Sequence, residues 1–241
     1  MLSEDLTSHS STAVIVPKTY TANLPQHTHR DRSGLGLNRI YMRIIKRGLD
    51  VVAAAMLLPL AILILAVPIL MTRKDGPVLF GHTRVGRNGL AFRCWKIRTM
   101  VPNADEVLRD HLRANPDAAR EWLETRKLSD DPRVTRMGRF LRKTSLDELP
   151  QLVNVLRGEM SLVGPRPITS TELDLYDPLC RAGYLGMAPG ITGLWQVKGR
   201  NRLTFAQRAE WDRHYAETAG FRQDLAILLR TVPVVLAGSG G

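Results

Sequence analysis

The sequence has few of the residues and motifs that mark common enzyme and metal-site types. Its 241 residues include only two cysteines, Cys94 and Cys180, too few for a disulfide framework, which indicates a reducing, cytosolic compartment. There is no GxxxxGK loop, HExxH motif or paired CxxC, so a phosphate-loop ATPase and a zinc site both lack support. The length suits one packed domain with an appendage rather than two full domains.

Acidic residues are scarce in one part of the chain. The formal net charge is +11, and residues 39–100 carry eleven basic groups against two acidic ones. Residues 1–38 are balanced at three against three, and residues 101–241 carry twenty against eighteen. This placement favours anionic lipid headgroups or phosphate substrates over a duplex-binding surface, and we expect no nucleic-acid partner.

The basic excess surrounds a hydrophobic run from Val51 to Met71, 21 residues without a charge. A helix of this length covers roughly 31 Å, about one hydrocarbon thickness. Twelve of the residues are Val, Ile or Leu, which together favour insertion by roughly 5 kcal/mol. A buried helix of a soluble core is the alternative, but the run predicts a membrane anchor.

The topology of this anchor is open from the residues alone. Four basic residues lie before the run and four after it: Arg39, Arg43, Lys46 and Arg47, then Arg73, Lys74, Arg84 and Arg87. The positive-inside rule therefore does not orient a simple span. Pro59 removes a helical hydrogen bond and could break the helix, so that the chain enters and leaves on one side. A kinked spanning helix is the other interpretation.

The rest of the chain predicts a mainly helical α+β fold. Residues 1–38 have no apolar period and are predicted to form a flexible tail. Asn88-Gly89 between two β-rich stretches predicts a β-hairpin, because both positions of such a turn need positive φ. Residues 159–202 are predicted to be largely irregular, although their apolar side chains argue against disorder. Helices are expected over 102–128 (one or two, polar), from Ser145 to Val155, from Thr204 to Ala219 and from Asp224 to Ala237.

The segment Arg139-Phe-Leu-Arg-Lys-Thr-Ser-Leu-Asp-Glu-Leu-Pro-Gln carries the strongest chemical signal. Ser145 and Glu148 fit a capping box, and on that interpretation Asp147 and Glu148 only support a helix start. The alternative is catalytic. Basic residues precede the acidic pair, and two adjacent carboxylates near a phosphate site would repel unless a cation such as Mg²⁺ bound there. One carboxylate could then hold the metal while its neighbour attacks phosphorus.

Basic residues on proline-stiffened or glycine-containing segments extend the hypothesis that the acidic pair is catalytic. Arg166 lies between Pro165 and Pro167, and a following proline favours an extended backbone. Arg200 and Asn201 follow a glycine turn. Lys96 and Arg98 are placed on the second hairpin strand. Each alone would more often be solvated, but their number near an acidic pair favours phosphate binding.

Seven ordered motifs resemble the bacterial sugar transferase family, the monotopic phosphoglycosyl transferases, over roughly residues 40–235. They are Lys46-Arg-Gly-Leu-Asp, Gly76-Pro-Val-Leu-Phe, Arg84-Val-Gly-Arg-Asn-Gly, Trp95-Lys-Ile-Arg-Thr-Met, Leu141-Arg-Lys-Thr-Ser-Leu-Asp-Glu-Leu-Pro-Gln, Ser161-Leu-Val-Gly-Pro-Arg-Pro and Pro189-Gly-Ile-Thr-Gly-Leu-Trp-Gln-Val-Lys-Gly-Arg-Asn.

The resemblance implies a two-step transfer. Asp147 would attack the sugar-linked phosphate of a UDP-sugar and release UMP, and undecaprenyl phosphate would then accept the phosphosugar. Glu148 would match the family's Mg²⁺ ligand. Arg142, Arg166 and Arg200 match phosphate-binding positions, and Pro165 and Pro167 shape the site.

The resemblance also implies a re-entrant membrane helix broken at Pro59, on the cytoplasmic face of the bacterial inner membrane. Leu58 precedes this proline where the family often has serine. The expected organisation is a tail over 1–38, the re-entrant helix over 39–74 and a cytosolic catalytic domain with amphipathic interfacial helices over 75–241. The match to the short, exopolysaccharide-type members favours glucose or galactose as the sugar. The oligomeric state is open, with a homodimer as one expectation.

Two other functions compete with this interpretation. A transferase that moves the sugar alone would release UDP instead of UMP. A basic, membrane-tethered module could instead bind or organise a polysaccharide complex without any turnover. The nucleotide product separates the first from phosphosugar transfer, and the lack of nucleotide-sugar turnover identifies the second.

Overall fold

The computed structural model describes residues 41–72, 76–125, 128–199 and 203–237. The predicted tail over 1–38 and the candidates Arg200 and Asn201 lie outside the described residues. The described part is mainly helical with two small sheets, which confirms the predicted fold class at that level.

The elements follow one another along the chain with short connections. After a π-helical turn at Tyr41–Ile45 they are α1 Lys46–Thr72, β1 Leu79–Val85, β2 Ala91–Ile97, α2 Ala104–Ala114, α3 Pro116–Thr125, α4 Arg136–Thr144, a 3₁₀ turn at Leu146–Glu148, α5 Gln151–Arg157, β3 Ser161–Val163, α6 Ser170–Leu173, α7 Pro178–Leu185, β4 Gly190–Thr192, α8 Leu194–Lys198, α9 Phe205–Thr218 and α10 Phe221–Leu236.

Helix α1 is the one helix among the described residues that is long and apolar enough to cross a membrane. One stripe of it is buried along most of its length: Asp50, Ala54, Ala61, Leu65 and Pro68. This spacing of three, four or seven residues places the stripe on one helix face. The other faces expose apolar side chains, with Met56 and Leu63 more than 70% accessible. The helix is continuous through Pro59 and Pro68, so the break at Pro59 stays a prediction.

The buried stripe of α1 contacts the rest of the protein at both of its ends. Ala54, near the start, and Ala61, just past the middle, pack in one cluster with Leu152 and Val155 of α5. Near the end, Leu65 packs with Ile97 and Leu141, with Ile69 beside them. The helix therefore lies along the domain.

Two buried carboxylates fasten the start of α1. Asp224 of α10 accepts hydrogen bonds from Lys46 at 2.6 Å, Tyr41 at 2.8 Å and Tyr215 at 2.6 Å. Asp50 accepts one from the Ser161 hydroxyl at 2.7 Å. A buried charge with several such partners is satisfied, whereas one deprived of them is costly.

Strands β1 and β2 form the predicted hairpin, paired antiparallel from Leu79 opposite Ile97 to Val85 opposite Ala91. Asn88 and Gly89 both have positive φ, at 58° and 79°, as the turn prediction requires. The connection is longer than a two-residue turn, because the Gly86 N–H donates to the Leu90 carbonyl at 2.7 Å.

The prediction of one helix from Ser145 to Val155 is wrong at its start and confirmed at its end, where α5 covers Gln151–Arg157. Helix α4 ends at Thr144, and Ser145 lies just after it in the left-handed region, with φ 57° and its N–H donating to the Arg142 carbonyl. An N-cap residue needs an extended backbone, so Ser145 forms no capping box with Glu148. The acidic pair lies instead on a 3₁₀ turn between α4 and α5.

Residues 159–199 are more regular than predicted. They contain the parallel pair β3 and β4 and the short helices α6, α7 and α8. Two of the helix starts carry ordinary sequence signals, the capping box of Thr169 with Glu172 and the Asp177-Pro178 cap of α7. The strands are only three residues long, too short to show an alternating pattern.

The remaining predicted helices are present. The polar segment over 102–128 forms α2 and α3, and α2 has no buried residue. Helix α9 matches the predicted Thr204–Ala219 closely, while α10 begins three residues earlier than predicted. Helix α10 buries Ile227 against α8 and α9. Its other face exposes Phe221, Leu225, Leu228, Leu229 and Val232.

Candidate active site

The acidic pair lies on the wall of a cavity of about 1080 Å³. Asp147 is 8% exposed, and the side chain of Glu148 is partly buried. The turn that carries them packs beside β2, which brings Lys96 within 2.6 Å of Glu148 Oε1. Arg166, from the segment after β3, lies 3.8 Å from the same oxygen.

Asp147 sits in surroundings that disfavour its charged form. Burial raises its pKa to about 6, and the negative charge of Glu148 adds to this, while Lys96 and Arg142 act in the opposite direction. Shifts of this kind are common where carboxylates take part in chemistry.

Arg142 approaches the pair from the last turn of α4. Its Nε donates to Thr99 Oγ1 at 2.8 Å, which fixes the guanidinium. Burial lowers its pKa and the nearby Asp147 opposes that change, so the two groups stabilise each other's charge.

The structure brings most of the predicted site residues to one cavity. Its lining includes Lys96, Arg98, Arg142, Asp147, Glu148, Arg166 and Pro167. Pro165 is buried outside that lining, and its carbonyl accepts the Gly190 N–H at 2.7 Å, so it supports the strand pairing behind Arg166. Arg200 lies outside the described residues.

Further lining residues did not stand out as site residues in the sequence. They include Arg84, Arg133, Tyr176, Trp195, Gln196, Arg208 and Asp212. Trp195 and Gln196 fall within the last family motif, and this was a usable signal. Arg208 and Asp212 lie in an ordinary polar helix, and no pattern there marks them.

The donor set at the pair suits a magnesium ion. Mg²⁺ prefers oxygen ligands and is usually bound by one or two carboxylates with substrate phosphates. Asp147 and Glu148 offer such oxygens on the cavity wall. Lys96 already neutralises one oxygen of Glu148, so a metal there would share this carboxylate with an ammonium group.

A cation-rich cavity around a buried carboxylate, with a long apolar helix packed behind it, defines an enzyme of anionic substrates that associates with membranes. The sequence model of the bacterial sugar transferases matches residues 41–238. This chain belongs to that family and is a sugar-phosphate transferase.

Three curated relatives support this assignment. The exopolysaccharide production protein ExoY of Sinorhizobium fredii is 49% identical over 199 residues, covering 82% of this chain and 88% of that protein. The undecaprenyl-phosphate galactose phosphotransferase of Salmonella typhimurium is 49% identical over 82% of this chain and 42% of its own length. The UDP-glucose:undecaprenyl-phosphate glucose-1-phosphate transferase of Caulobacter vibrioides is 43% identical over 85% of this chain and 74% of its own length.

Proposed function

We propose that this protein transfers a sugar 1-phosphate from a UDP-sugar to undecaprenyl phosphate and releases UMP, through a covalent phosphosugar on Asp147. The observation that carries the proposal is the position of Asp147, a buried carboxylate on the wall of a cavity that also holds four cationic site residues: Lys96, Arg98, Arg142 and Arg166. The names of the relatives support the two substrates.

The proposed reaction has two displacements at the same phosphorus. In the first, an Asp147 carboxylate oxygen bonds to the sugar-bearing phosphorus, and the bond to the bridging oxygen of the diphosphate breaks, so that UMP leaves with that oxygen. In the second, a phosphate oxygen of the lipid carrier bonds to phosphorus, the acyl phosphate bond breaks, and the Asp147 carboxylate is restored.

The basic residues have separate tasks in this scheme. Arg166 and Arg142 neutralise charge on the phosphates. Lys96 compensates the two adjacent carboxylates, which lets Asp147 approach a charged phosphate in its ionised form. Mg²⁺ held by Glu148 would supply further charge neutralisation of the diphosphate.

We propose that α1 is re-entrant and that the domain lies on the cytoplasmic face of the inner membrane. Support comes from the packing of α1, whose buried stripe contacts one domain near residue 54 and again near residue 65. A helix crossing perpendicular to the membrane would leave such a domain within a few turns. The apolar face of α10 would rest at the same membrane surface.

The sugar is proposed to be a hexose, glucose or galactose, and the reaction the first membrane step of exopolysaccharide synthesis. The relatives are named for galactose, for glucose and for exopolysaccharide production.

Identification of the nucleotide product tests the function. With a panel of UDP-hexoses, undecaprenyl phosphate and Mg²⁺, we expect the wild type to release UMP. Asp147→Asn should abolish release, and Glu148→Gln should weaken the dependence on Mg²⁺. Asp110→Asn, a matched change of an exposed carboxyl group on α2, should behave as the wild type. UDP as the sole product would identify simple glycosyl transfer, and the absence of any nucleotide would favour a binding module.

A further inference from the structure

The cavity extends beyond the acidic pair into a region that has no role in the steps described above. Its wall consists of Tyr176, Trp195, Gln196, Phe205, Arg208 and Asp212, which we call the tryptophan subsite. Tyr176 and Phe205 contact each other edge to face, with ring centroids 5.3 Å apart.

The local sequence explains why these residues meet. The Gly164 N–H donates to the Thr192 carbonyl at 2.9 Å, so the ends of β3 and β4 lie side by side. A Cβ on Gly193 would clash with the Gly164 carbonyl, and glycine there allows the close approach. Trp195, two residues further on, consequently lies beside Arg166, whose Cζ is 6.0 Å from its ring.

Helix α9 forms the opposite wall. Phe205, Arg208 and Asp212 are spaced by three and seven residues, which puts them on one helix face. Arg208 Cζ lies 4.9 Å from the Trp195 ring and covers part of it, while its Nε donates to the Leu203 carbonyl. The Trp195 ring is thereby packed against Arg208.

Three buried polar atoms in this wall have no hydrogen-bond partner within the described part of the chain. They are Trp195 Nε1, Gln196 Oε1 and Asp212 Oδ1. Asp212 is 1% exposed, and only its other oxygen is approached, by the Tyr176 hydroxyl at 3.4 Å. More than about 90% of buried polar groups in proteins are hydrogen-bonded, so these three are groups that a bound ligand or an ordered water would complete.

The position of the subsite relative to the acidic pair indicates which part of the donor it receives. Arg166 lies 3.8 Å from Glu148, and its Cζ is 6.0 Å from the centre of the Trp195 ring, so one guanidinium separates the pair from the subsite. In a UDP-sugar, the sugar is bonded directly to the attacked phosphate, whereas uracil is separated from it by a second phosphate and ribose. The nearer group is the sugar.

We infer that the tryptophan subsite binds the hexose ring of the donor, with the Trp195 N–H donating to its hydroxyl groups, Gln196 Oε1 accepting from them and Asp212 Oδ1 hydrogen-bonded to them. This inference rests on the proposed function. Sugar hydroxyls both donate and accept, and thus suit a wall with an N–H donor, an amide oxygen and a carboxyl group. The C–H faces of the ring suit the aromatic side chains of Tyr176 and Phe205.

Kinetics of two variants test the inference. Trp195→Phe removes the N–H and keeps an aromatic ring, and Gln196→Ala removes the amide. For each we expect kcat/KM for the preferred UDP-hexose to fall about tenfold, the effect of one hydrogen bond. The preference between UDP-glucose and UDP-galactose should change as well. Inhibition by UMP, which lacks the hexose, should keep its wild-type constant.

Gln223→Ala is the matched control. Gln223 also has a buried amide oxygen without a hydrogen-bond partner, but it is absent from the cavity lining within the described residues. We expect its kinetics and sugar preference to equal those of the wild type. The thermal midpoint of each variant shows whether it is folded. If Trp195→Phe does not fold, Gln196→Ala alone tests the inference.

Two outcomes overturn the inference. If the variants weaken UMP inhibition and donor use equally, the subsite binds the nucleotide. If the kinetics of both variants are unchanged, the subsite does not take part in donor binding. Either result leaves UMP release by the wild type intact, so the proposed function survives. If the wild type releases no UMP from any UDP-hexose, the proposed function fails and the inference fails with it.

Discussion

At the scale of single residues, Lys96 balances the charge of two adjacent carboxylates. It contacts Glu148 directly, and its charge opposes the effect of burial on the pKa of Asp147. We expect Lys96→Ala to lower the rate of UMP release about a hundredfold, the size typical of removing one group that stabilises transition-state charge. Steady-state assays measure this. Lys143→Ala, an exposed lysine on α4, should stay within about twofold, and an equal loss in both variants would contradict the role of Lys96.

Asp212 is a second residue whose burial has a measurable consequence. Burial raises the pKa of its carboxyl group well above the ordinary value, and only Tyr176 and Arg166 oppose this. The protonated form therefore favours folding at low pH, and this contribution is lost as the pH rises through the raised pKa. Asparagine has no such dependence.

We accordingly expect Asp212→Asn to gain stability over the wild type as the pH rises from 5 to 8. Thermal unfolding in detergent at both pH values measures the difference. A stability difference that is constant, or that shrinks with rising pH, would show that Asp212 is ionised throughout. Greater stability together with poorer donor use would fit a residue kept for binding.

At the scale of elements, α1 depends on a buried ion pair for its attachment to α10. Removing Asp224 leaves Lys46 buried without its partner, and uncompensated buried charges cost about 3 to 5 kcal/mol. Asp224→Ala should therefore lower the thermal midpoint strongly. The double variant Lys46→Met with Asp224→Ala should recover part of the loss, and simple additivity of the two single changes would argue against a coupled pair.

Two helix starts show when a capping pattern in the sequence is sufficient to predict a helix. Helix α9 was predictable because Thr204 and Gln207 form a true capping box ahead of it. Ser145 and Glu148 present the same spacing and form none, because α4 extends to Thr144 and places Ser145 at its C-terminal end. A local pattern does not distinguish these cases, since the neighbouring helix decides the backbone conformation.

At the scale of the whole molecule, the acidic pair could be predicted, whereas only Trp195 and Gln196 of the tryptophan subsite lie in a sequence motif. Asp147 and Glu148 are adjacent in the sequence, and basic motifs surround them. The subsite instead combines Tyr176, the start of α8 and one face of α9, which three-residue parallel strands bring together. No local sequence pattern predicts the pairing of β3 with β4.

The placement of the whole chain at the membrane gives a further prediction. If α1 is re-entrant, both of its ends lie on the cytoplasmic side. Cysteines introduced as Ser10→Cys and Asp130→Cys should then react with an impermeant thiol reagent only after spheroplasts are permeabilised. The native Cys94 and Cys180 are buried and should contribute little background. Labelling of Ser10→Cys alone in intact spheroplasts would establish a spanning helix instead.

The proposed covalent intermediate is open to direct observation by intact-mass analysis. The purified protein is incubated with a UDP-hexose and Mg²⁺ without lipid acceptor, and the adduct is located by peptide mapping. The account predicts a mass increase of one hexose phosphate on the peptide containing Asp147, absent in Asp147→Asn and discharged by undecaprenyl phosphate. UMP release by the wild type with no adduct at that position, under conditions that trap acyl phosphates, would contradict it.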